Sequence, residues 1–172
     1  MVYRSFLIKY AEIGTKGKNR YVFEDALIKQ IRFALKEADG KFKVWKESGR
    51  IYVDAEGEYD YDEVVGALKR VFGIVWICPM VQIDNKDYEN LKKEVVAYMD
   101  EVYPDKAITF KVNARRGDKQ YPHMSEEINR DLGEVILNAF PQIRVDVHQP
   151  DVMLHVEIRH RINIYSLMIP GA

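Results

Sequence analysis

The sequence predicts a mixed fold of the α+β or α/β class, with strands and amphipathic helices arranged in two successive domains. Several segments alternate apolar and polar residues with a period of two, which is typical of half-buried strands. Longer segments between them repeat apolar residues every three or four positions, as helices with one buried face do. The order of these segments differs between the two halves. We therefore predict one domain over residues 1–84 and a second over residues 85–172.

The first domain is predicted to begin with a strand and a long helix. Residues 3–11 predict the strand, because Phe6 and Ile8 alternate with other residues. Residues 19–38 predict the helix, because Leu27 and Ile31 belong to an apolar series with a spacing of four. The remaining patterns predict strands over 42–45 and 51–55, a helix over 61–72 and a strand over 74–83. The resulting β-α-β-β-α-β order is that of the ferredoxin-like unit.

The second domain has a different predicted order. A helix over 88–102 is followed by a strand over 107–113 and a helix from Ser125 to about Ala139. Two or three strands then close the chain, among them residues 152–158 and residues 162–169. Strands separated by helices favour an α/β sheet with partly parallel pairing.

Composition and charge exclude several classes of protein. The 172 residues are 47% hydrophobic and 31% charged, as in an ordinary globular chain. The formal net charge of −1 gives no overall attraction to nucleic acid, so any such binding must come from local basic clusters. No apolar run approaches the roughly 18 residues of a membrane span, and the N-terminus does not fit a signal peptide. With a single cysteine, Cys78, these features predict a cytoplasmic protein with no membrane partner.

No catalytic or metal-binding motif is visible in the sequence. It contains neither a GxxxxGK[ST] phosphate loop nor a GxGxxG turn after a strand. The four histidines show no metal-ligand spacing with the lone cysteine. On the closing strand, Glu157 and Arg159 are expected to form an exposed ion pair. We therefore predict no catalytic residue, no metal site and no cofactor within this chain.

Clusters of cations provide the only candidate site. Two of them share one context, since each follows a predicted strand and precedes a helix, where backbone amides favour anions. Guanidinium groups match phosphate oxygens, and an aromatic ring can stack on an unpaired base. The second cluster is expected to lie on a loop after the strand over 107–113. The candidate RNA-binding residues are Arg115, Arg116, Lys119, Tyr121, Lys16, Lys18, Arg20 and Arg159.

Three segments in order carry a resemblance to a known family. The segment KYAEIGTKGKNRYVFE resembles the start of bacterial and archaeal tRNA 4-thiouridine synthetases, with Ala11 in place of the usual glycine. The segment KVNARRGDKQYPHMSEEINRDLG resembles the core of a THUMP domain. The segment PDVMLHVEIRHRINIYSLMIPGA is similar to the closing strands of the same domain. The resemblance covers essentially the whole chain.

The resemblance implies a fold, a partner and a role. It implies an N-terminal ferredoxin-like domain followed by an α/β THUMP domain. The family consists of ATP-dependent tRNA sulfurtransferases linked to thiamine biosynthesis. Its THUMP domain grips the 3′ CCA end of the tRNA, while its ferredoxin-like domain helps to set the distance to the modified uridine. The family's dimeric state further implies a homodimer.

The same resemblance implies that catalysis lies elsewhere. In the family, a pyrophosphatase-loop domain with a Ser-Gly-Gly-x-Asp-Ser motif binds ATP and carries the sulfur-handling cysteine. This sequence contains no such motif. We therefore expect a tRNA-binding module that does not itself catalyse thiolation and that works with a catalytic domain or an enzyme in trans.

Two alternatives remain open at the level of the sequence. The first is a THUMP adaptor for another tRNA-modifying enzyme, such as a methyltransferase or an acetylation system. The second is a small-molecule regulatory module, because ferredoxin-like domains serve many unrelated functions. The KGKNR segment argues against the first, and the lack of a polar pocket signature argues against the second.

Overall fold

The computed structural model describes residues 3–11, 20–47 and 49–171. Their contacts divide the chain into two compact units. The first unit contains residues 3–80 together with 167–171, and the second contains residues 81–166. None of the helices in the described ranges is long and apolar enough to cross a membrane.

The first unit is an antiparallel sheet with two helices. Its elements are β1 (Ser5–Tyr10), α1 (Arg20–Leu35), β2 (Phe42–Glu47), β3 (Arg50–Ala55), α2 (Tyr61–Lys69), residues 74–80 of β4 (Ile74–Ile83), and β9 (Ile169–Pro170). The strand order is β2-β3-β1-β4, and β9 pairs with β4. The predicted β-α-β-β-α-β order is therefore confirmed.

Both helices of the first unit end earlier than the sequence predicts. The helix α1 ends at Leu35, and the chain then tightens into a turn in which the Ala38 amide donates to the Leu35 carbonyl at 3.1 Å. The helix α2 ends at Lys69, and Phe72 beyond it is 84% exposed. The apolar spacing continues past both ends, so it could not mark where the helical hydrogen bonds stop.

The second unit combines parallel and antiparallel strands. Its elements are residues 81–83 of β4, α3 (Tyr88–Val102), β5 (Thr109–Arg116), α4 (Ser125–Ala139), β6 (Arg144–Val145), β7 (Val152–Ile158) and β8 (Ile162–Tyr165). The strand β5 runs parallel to both β6 and β7, whereas β8 runs antiparallel to β7 and to the end of β4. The predicted α/β sheet with partly parallel pairing is confirmed.

The core of the second unit lies between its sheet and its two helices. Alternation along β5 turns Phe110, Val112 and Ala114 inward, and Phe110 is 0% exposed. The helix α4 packs on β5 and presents Leu132 and Ile136, both fully buried. Burying such side chains is the main source of stability for an element of this kind.

Two predictions about the closing strands are corrected by the structure. Residues 162–169 do not form one strand, because β8 ends at Tyr165 and β9 starts at Ile169 in the first unit. Glu157 is only 2% exposed and accepts a hydrogen bond from the Tyr165 hydroxyl at 3.0 Å. The prediction of an exposed ion pair between Glu157 and Arg159 is therefore wrong about its exposure.

Candidate functional site

The candidate RNA-binding residues fall into three places. Lys16 and Lys18 lie outside the described residues. Arg20 is the first residue of α1 in the first unit, and its Nε lies 4.0 Å from the Glu24 carboxylate. The other candidates all belong to the second unit, around the end of β5.

The two arginines at the end of β5 belong to the strand and not to a loop. Pairing with β7 continues to the last residue, with Arg115 opposite Glu157 and Arg116 opposite Ile158. The prediction that the strand stops at Asn113 is therefore wrong. Because consecutive strand residues point to opposite faces, the two guanidinium groups lie in different surroundings: Arg115 is exposed, whereas Arg116 is partly buried.

Residues 117–121 form a turn that is anchored to the neighbouring strand. The amides of Gly117 and Asp118 both donate to the Ile158 carbonyl, at 2.8 and 2.9 Å. From the other side, the Arg116 Nη1 atom donates to the carbonyls of Lys119, at 3.2 Å, and Tyr121, at 2.9 Å. We call residues 117–121 the basic turn, because they connect the candidate cations.

The acidic residue of the basic turn is paired with Lys86, at the entrance to α3. The Asp118 carboxylate accepts a hydrogen bond from the Lys86 ammonium at 3.0 Å. This bond, together with one from the Gln120 amide, holds the pKa of Asp118 below its usual range. Because its negative charge is paired, Asp118 subtracts little from the positive charge of the turn.

Tyr121 is an internal part of the turn. Its ring is 7% exposed, and its hydroxyl donates to the Lys86 carbonyl at 2.8 Å. As placed, the ring offers almost no face to a base, which does not fit the stacking role suggested by the sequence. The sequence pattern, an aromatic residue beside cations, is the same whether the ring faces the solvent or the core, so it could not show that Tyr121 is buried.

Of the remaining candidates, Lys119 lies in the basic turn and Arg159 lies beside it. Lys119 is exposed, and the Arg159 side chain lies over Gly117, where an added Cβ would come within 3.1 Å of the Arg159 Cγ atom. Within the ranges that the structure describes, neither the Arg115 guanidinium nor the Lys119 ammonium forms an ion pair. The second unit therefore gathers Arg115, Arg116, Lys119, Tyr121 and Arg159, with Arg115 and Lys119 open to a polyanion.

A cluster of rings and carboxylates beyond the turn was not foreseen from the sequence. The His123 ring stacks on Tyr88, with centroids 3.6 Å apart, and its Nδ1 atom lies 3.1 Å from the Glu127 carboxylate. The Tyr88 hydroxyl donates to Asp131 at 2.8 Å, joining α3 to α4. Burial and this bond raise the pKa of Tyr88. The spacing of Glu127 and Asp131 is the one sequence signal, since residues four apart in α4 share a helix face.

These contacts predict that acid destabilises the second unit. Hydrogen bonds from Lys86, His123 and Tyr88 hold the pKa values of Asp118, Glu127 and Asp131 below their usual ranges. A carboxylate with a lowered folded-state pKa contributes stability above its unfolded pKa of about 4, and that stability is lost as the pH falls through the folded value. We expect the urea midpoint to be flat above about pH 5 and to fall below about pH 4. Asp131→Asn should make this decline less steep. A wild-type urea midpoint that is the same above about pH 5 and below about pH 4 would contradict the stabilising role of these carboxylates.

Comparison with known proteins gives the same two-part organisation. The model of the ThiI ferredoxin-like domain matches residues 5–78, and the THUMP domain model matches residues 85–166. A protein of Lachnospira eligens named "Probable tRNA sulfurtransferase" is 57% identical over 99% of the chain. A second of that name, from Agathobacter rectalis, is 56% identical over 99% of the chain. The chain spans 44% and 43% of these relatives, less than half of their length.

Two solved structures share the fold over nearly the whole chain. One, described as a 4-thiouridine synthetase in complex with RNA and with bound ATP, has a TM-score of 0.81 and 32% identity, over 99% of this chain and 42% of that one. The other, PH1313 of Pyrococcus horikoshii, has a TM-score of 0.80 and 32% identity, over 98% of this chain and 55% of that one. The chain therefore belongs to the tRNA sulfurtransferase family, through the ferredoxin-like and THUMP domains that form the N-terminal part of those proteins.

Proposed function

We propose that this chain binds tRNA and recognises its 3′ CCA end. The observation that carries the proposal is the end of β5 and the basic turn after it, where Arg115 and Lys119 are exposed and the turn is held by hydrogen bonds from Arg116. Single-stranded RNA ends expose phosphates and unstacked bases, and cationic surfaces bind them with little demand on sequence. A relative that aligns over 99% of the chain has been solved with RNA, which supports the same class of partner.

The role in the family follows from this binding. We propose that the chain supplies the tRNA-recognition step of sulfur transfer to tRNA, with the ATP-dependent chemistry carried by a catalytic domain outside these residues. We propose that further contacts with the tRNA come from the ferredoxin-like unit, through Lys16, Lys18 and Arg20. Arg159, at the edge of the basic turn, is proposed to make another. A cytoplasmic location is proposed because tRNA modification takes place there.

Self-association is a further proposal about the first unit. Phe33 and Phe72 are 73% and 84% exposed there, which is unusual for phenylalanine in a monomeric domain. Light scattering over a concentration series tests the proposal, and a monomer mass at every concentration would remove it for this chain.

The first test of tRNA binding is its dependence on salt. Each neutralised phosphate contributes a slope of about −0.7 to −0.9 in log K against log salt, so about three to five contacts give roughly −2 to −4. We expect fluorescence anisotropy with labelled tRNA to show this slope, and tRNA without its CCA end to bind more weakly. Affinity that stays the same from low to physiological salt would indicate a partner that is not a polyanion. Lys93→Ala removes an exposed charge from α3 and serves as the control.

A further inference from the structure

The cations around the basic turn are not equivalent in the structure. Arg115 and Lys119 are exposed, and no described residue pairs with their charged groups. Arg116 is partly buried, and its Nη1 atom donates to two carbonyls of the turn, those of Lys119 at 3.2 Å and Tyr121 at 2.9 Å. A guanidinium that already satisfies two backbone acceptors is oriented toward the protein rather than toward a ligand.

The bonds made by Arg116 complete a set of braces around residues 117–121. The Ile158 carbonyl accepts from Gly117 and Asp118, and the Tyr121 amide donates to the Asp118 carbonyl at 3.2 Å. Asp118 binds the Lys86 ammonium at 3.0 Å through its side chain. Arg116 directs a charged donor at two carbonyls of this turn. Charge-assisted hydrogen bonds of this kind are about twice as strong as neutral ones.

We propose that Arg116 is a positioning residue that holds the basic turn in its RNA-binding conformation, with Asp118 acting as the second brace. The proposal rests on the proposed tRNA-binding function and identifies which cations meet the phosphates. Arg115 and Lys119 make the contacts, and Arg116 removes the entropy cost of ordering the turn that carries Lys119 when RNA binds. A binding loop that is already ordered gains affinity because that cost is not incurred during association.

The central test compares Arg116→Ala with Arg115→Ala. Arg116→Ala should reduce the affinity for tRNA by about tenfold while leaving the salt slope nearly unchanged, because the phosphate contacts remain available. Arg115→Ala should lower the magnitude of the slope by about 0.7 to 0.9, the value for one phosphate. In the RNA-free protein, Arg116→Ala should also increase hydrogen exchange at the Tyr121 amide, which Arg115→Ala should leave protected. If Arg116 contributed only to global stability, Arg116→Ala would instead increase hydrogen exchange at amides throughout β5 and β7.

For a second variant, Asp118→Ala, the change in charge and the loss of bracing predict opposite changes in the affinity for tRNA. Asp118→Ala removes a negative charge from the turn, so electrostatics alone predicts tighter tRNA binding. It also removes the Lys86 and Gln120 bonds, at 3.0 Å each, so the loss of bracing predicts weaker binding. We expect weaker binding with faster exchange in the turn.

Three results would overturn the proposal. The first is that Arg116→Ala reduces the salt slope as much as Arg115→Ala does. The second is that Arg116→Ala leaves the exchange rate of the Tyr121 amide unchanged. The third is that Asp118→Ala binds tRNA more tightly than the wild type. Failure of the wild type to bind tRNA would instead overturn the proposed function. The exchange rates, measured without RNA, would still show whether Arg116 orders the turn, so the two failures are distinguishable.

Discussion

Replacing Phe110 by alanine is expected to remove about 3 to 5 kcal/mol of stability from the THUMP unit and to lower the fraction of protein that can bind tRNA. Phe110 is fully buried in β5, between the parallel partners β6 and β7. Truncation of a buried phenylalanine to alanine costs about 3 to 5 kcal/mol, because transfer free energy is lost and a cavity is left. A domain of this size has only about 5 to 15 kcal/mol of stability, so the loss is a large fraction of the total.

The effect on binding follows from the position of the core residue on the same strand as the basic residues. The strand that buries Phe110 carries Arg115 and Arg116 at its end, and its pairing with β7 fixes Ile158, which anchors the basic turn. Urea unfolding followed by circular dichroism measures the loss of stability, and anisotropy at a temperature where the variant is folded separates folding from binding.

Phe33→Ala provides a matched control for this prediction. It removes the same atoms from α1, where Phe33 is 73% exposed, so at a protein concentration where the chain is monomeric its free energy of unfolding should change by no more than about 0.5 kcal/mol. If Phe110→Ala melted like the wild type, the inward alternation assigned to β5 would be wrong.

The core of the THUMP unit could be predicted from the sequence because its elements are long and strongly periodic. Alternation in 152–158 and the spacing of Ile128, Leu132 and Ile136 identified β7 and α4 directly. These patterns reflect burial on one face, which is a local property of each segment. The helices α3 and α4 accordingly begin and end where the sequence places them.

The end of β5 could not be predicted in the same way. Arg115 and Arg116 are charged and precede a glycine, a combination that favours a loop, yet backbone pairing with β7 extends through both. Backbone hydrogen bonds do not depend on side-chain polarity, so a distant partner strand overrode the local signal. The same limitation applies to β9, whose partner β4 lies far away in the sequence.

The candidate site was located by sequence, but the roles of its residues were not. The cluster of cations after the strand marked the correct region of the chain, and the structure gathers five of the candidates there. The inward direction of Arg116, the burial of Tyr121 and the pairing of Asp118 with Lys86 depend on contacts across 3, 5, 32 or 35 residues. Such contacts leave no periodic trace in a single sequence.

Removal of the 3′ CCA from tRNA and the Arg115→Ala substitution are expected to weaken binding without adding. A charge-assisted contact between Arg115 and the tRNA end is worth about 1 to 3 kcal/mol, so each change alone should cost about that much. If both changes remove the same interaction, the double change should cost little more than either single change. Folding should be almost unaffected, because Arg115 is exposed.

The double-mutant cycle requires four dissociation constants, for wild type and Arg115→Ala, each with intact and CCA-less tRNA. Lys93→Ala, run through the same cycle, should show no coupling, because the variant removes an equal charge from the exposed surface of α3. If the losses caused by Arg115→Ala and by CCA removal add fully, in a protein that melts like the wild type, Arg115 contacts another part of the tRNA. The basic turn would then grip the acceptor stem or a more distant phosphate, and recognition of the 3′ end would have to come from the remaining cations, Arg20 and Arg159 among them.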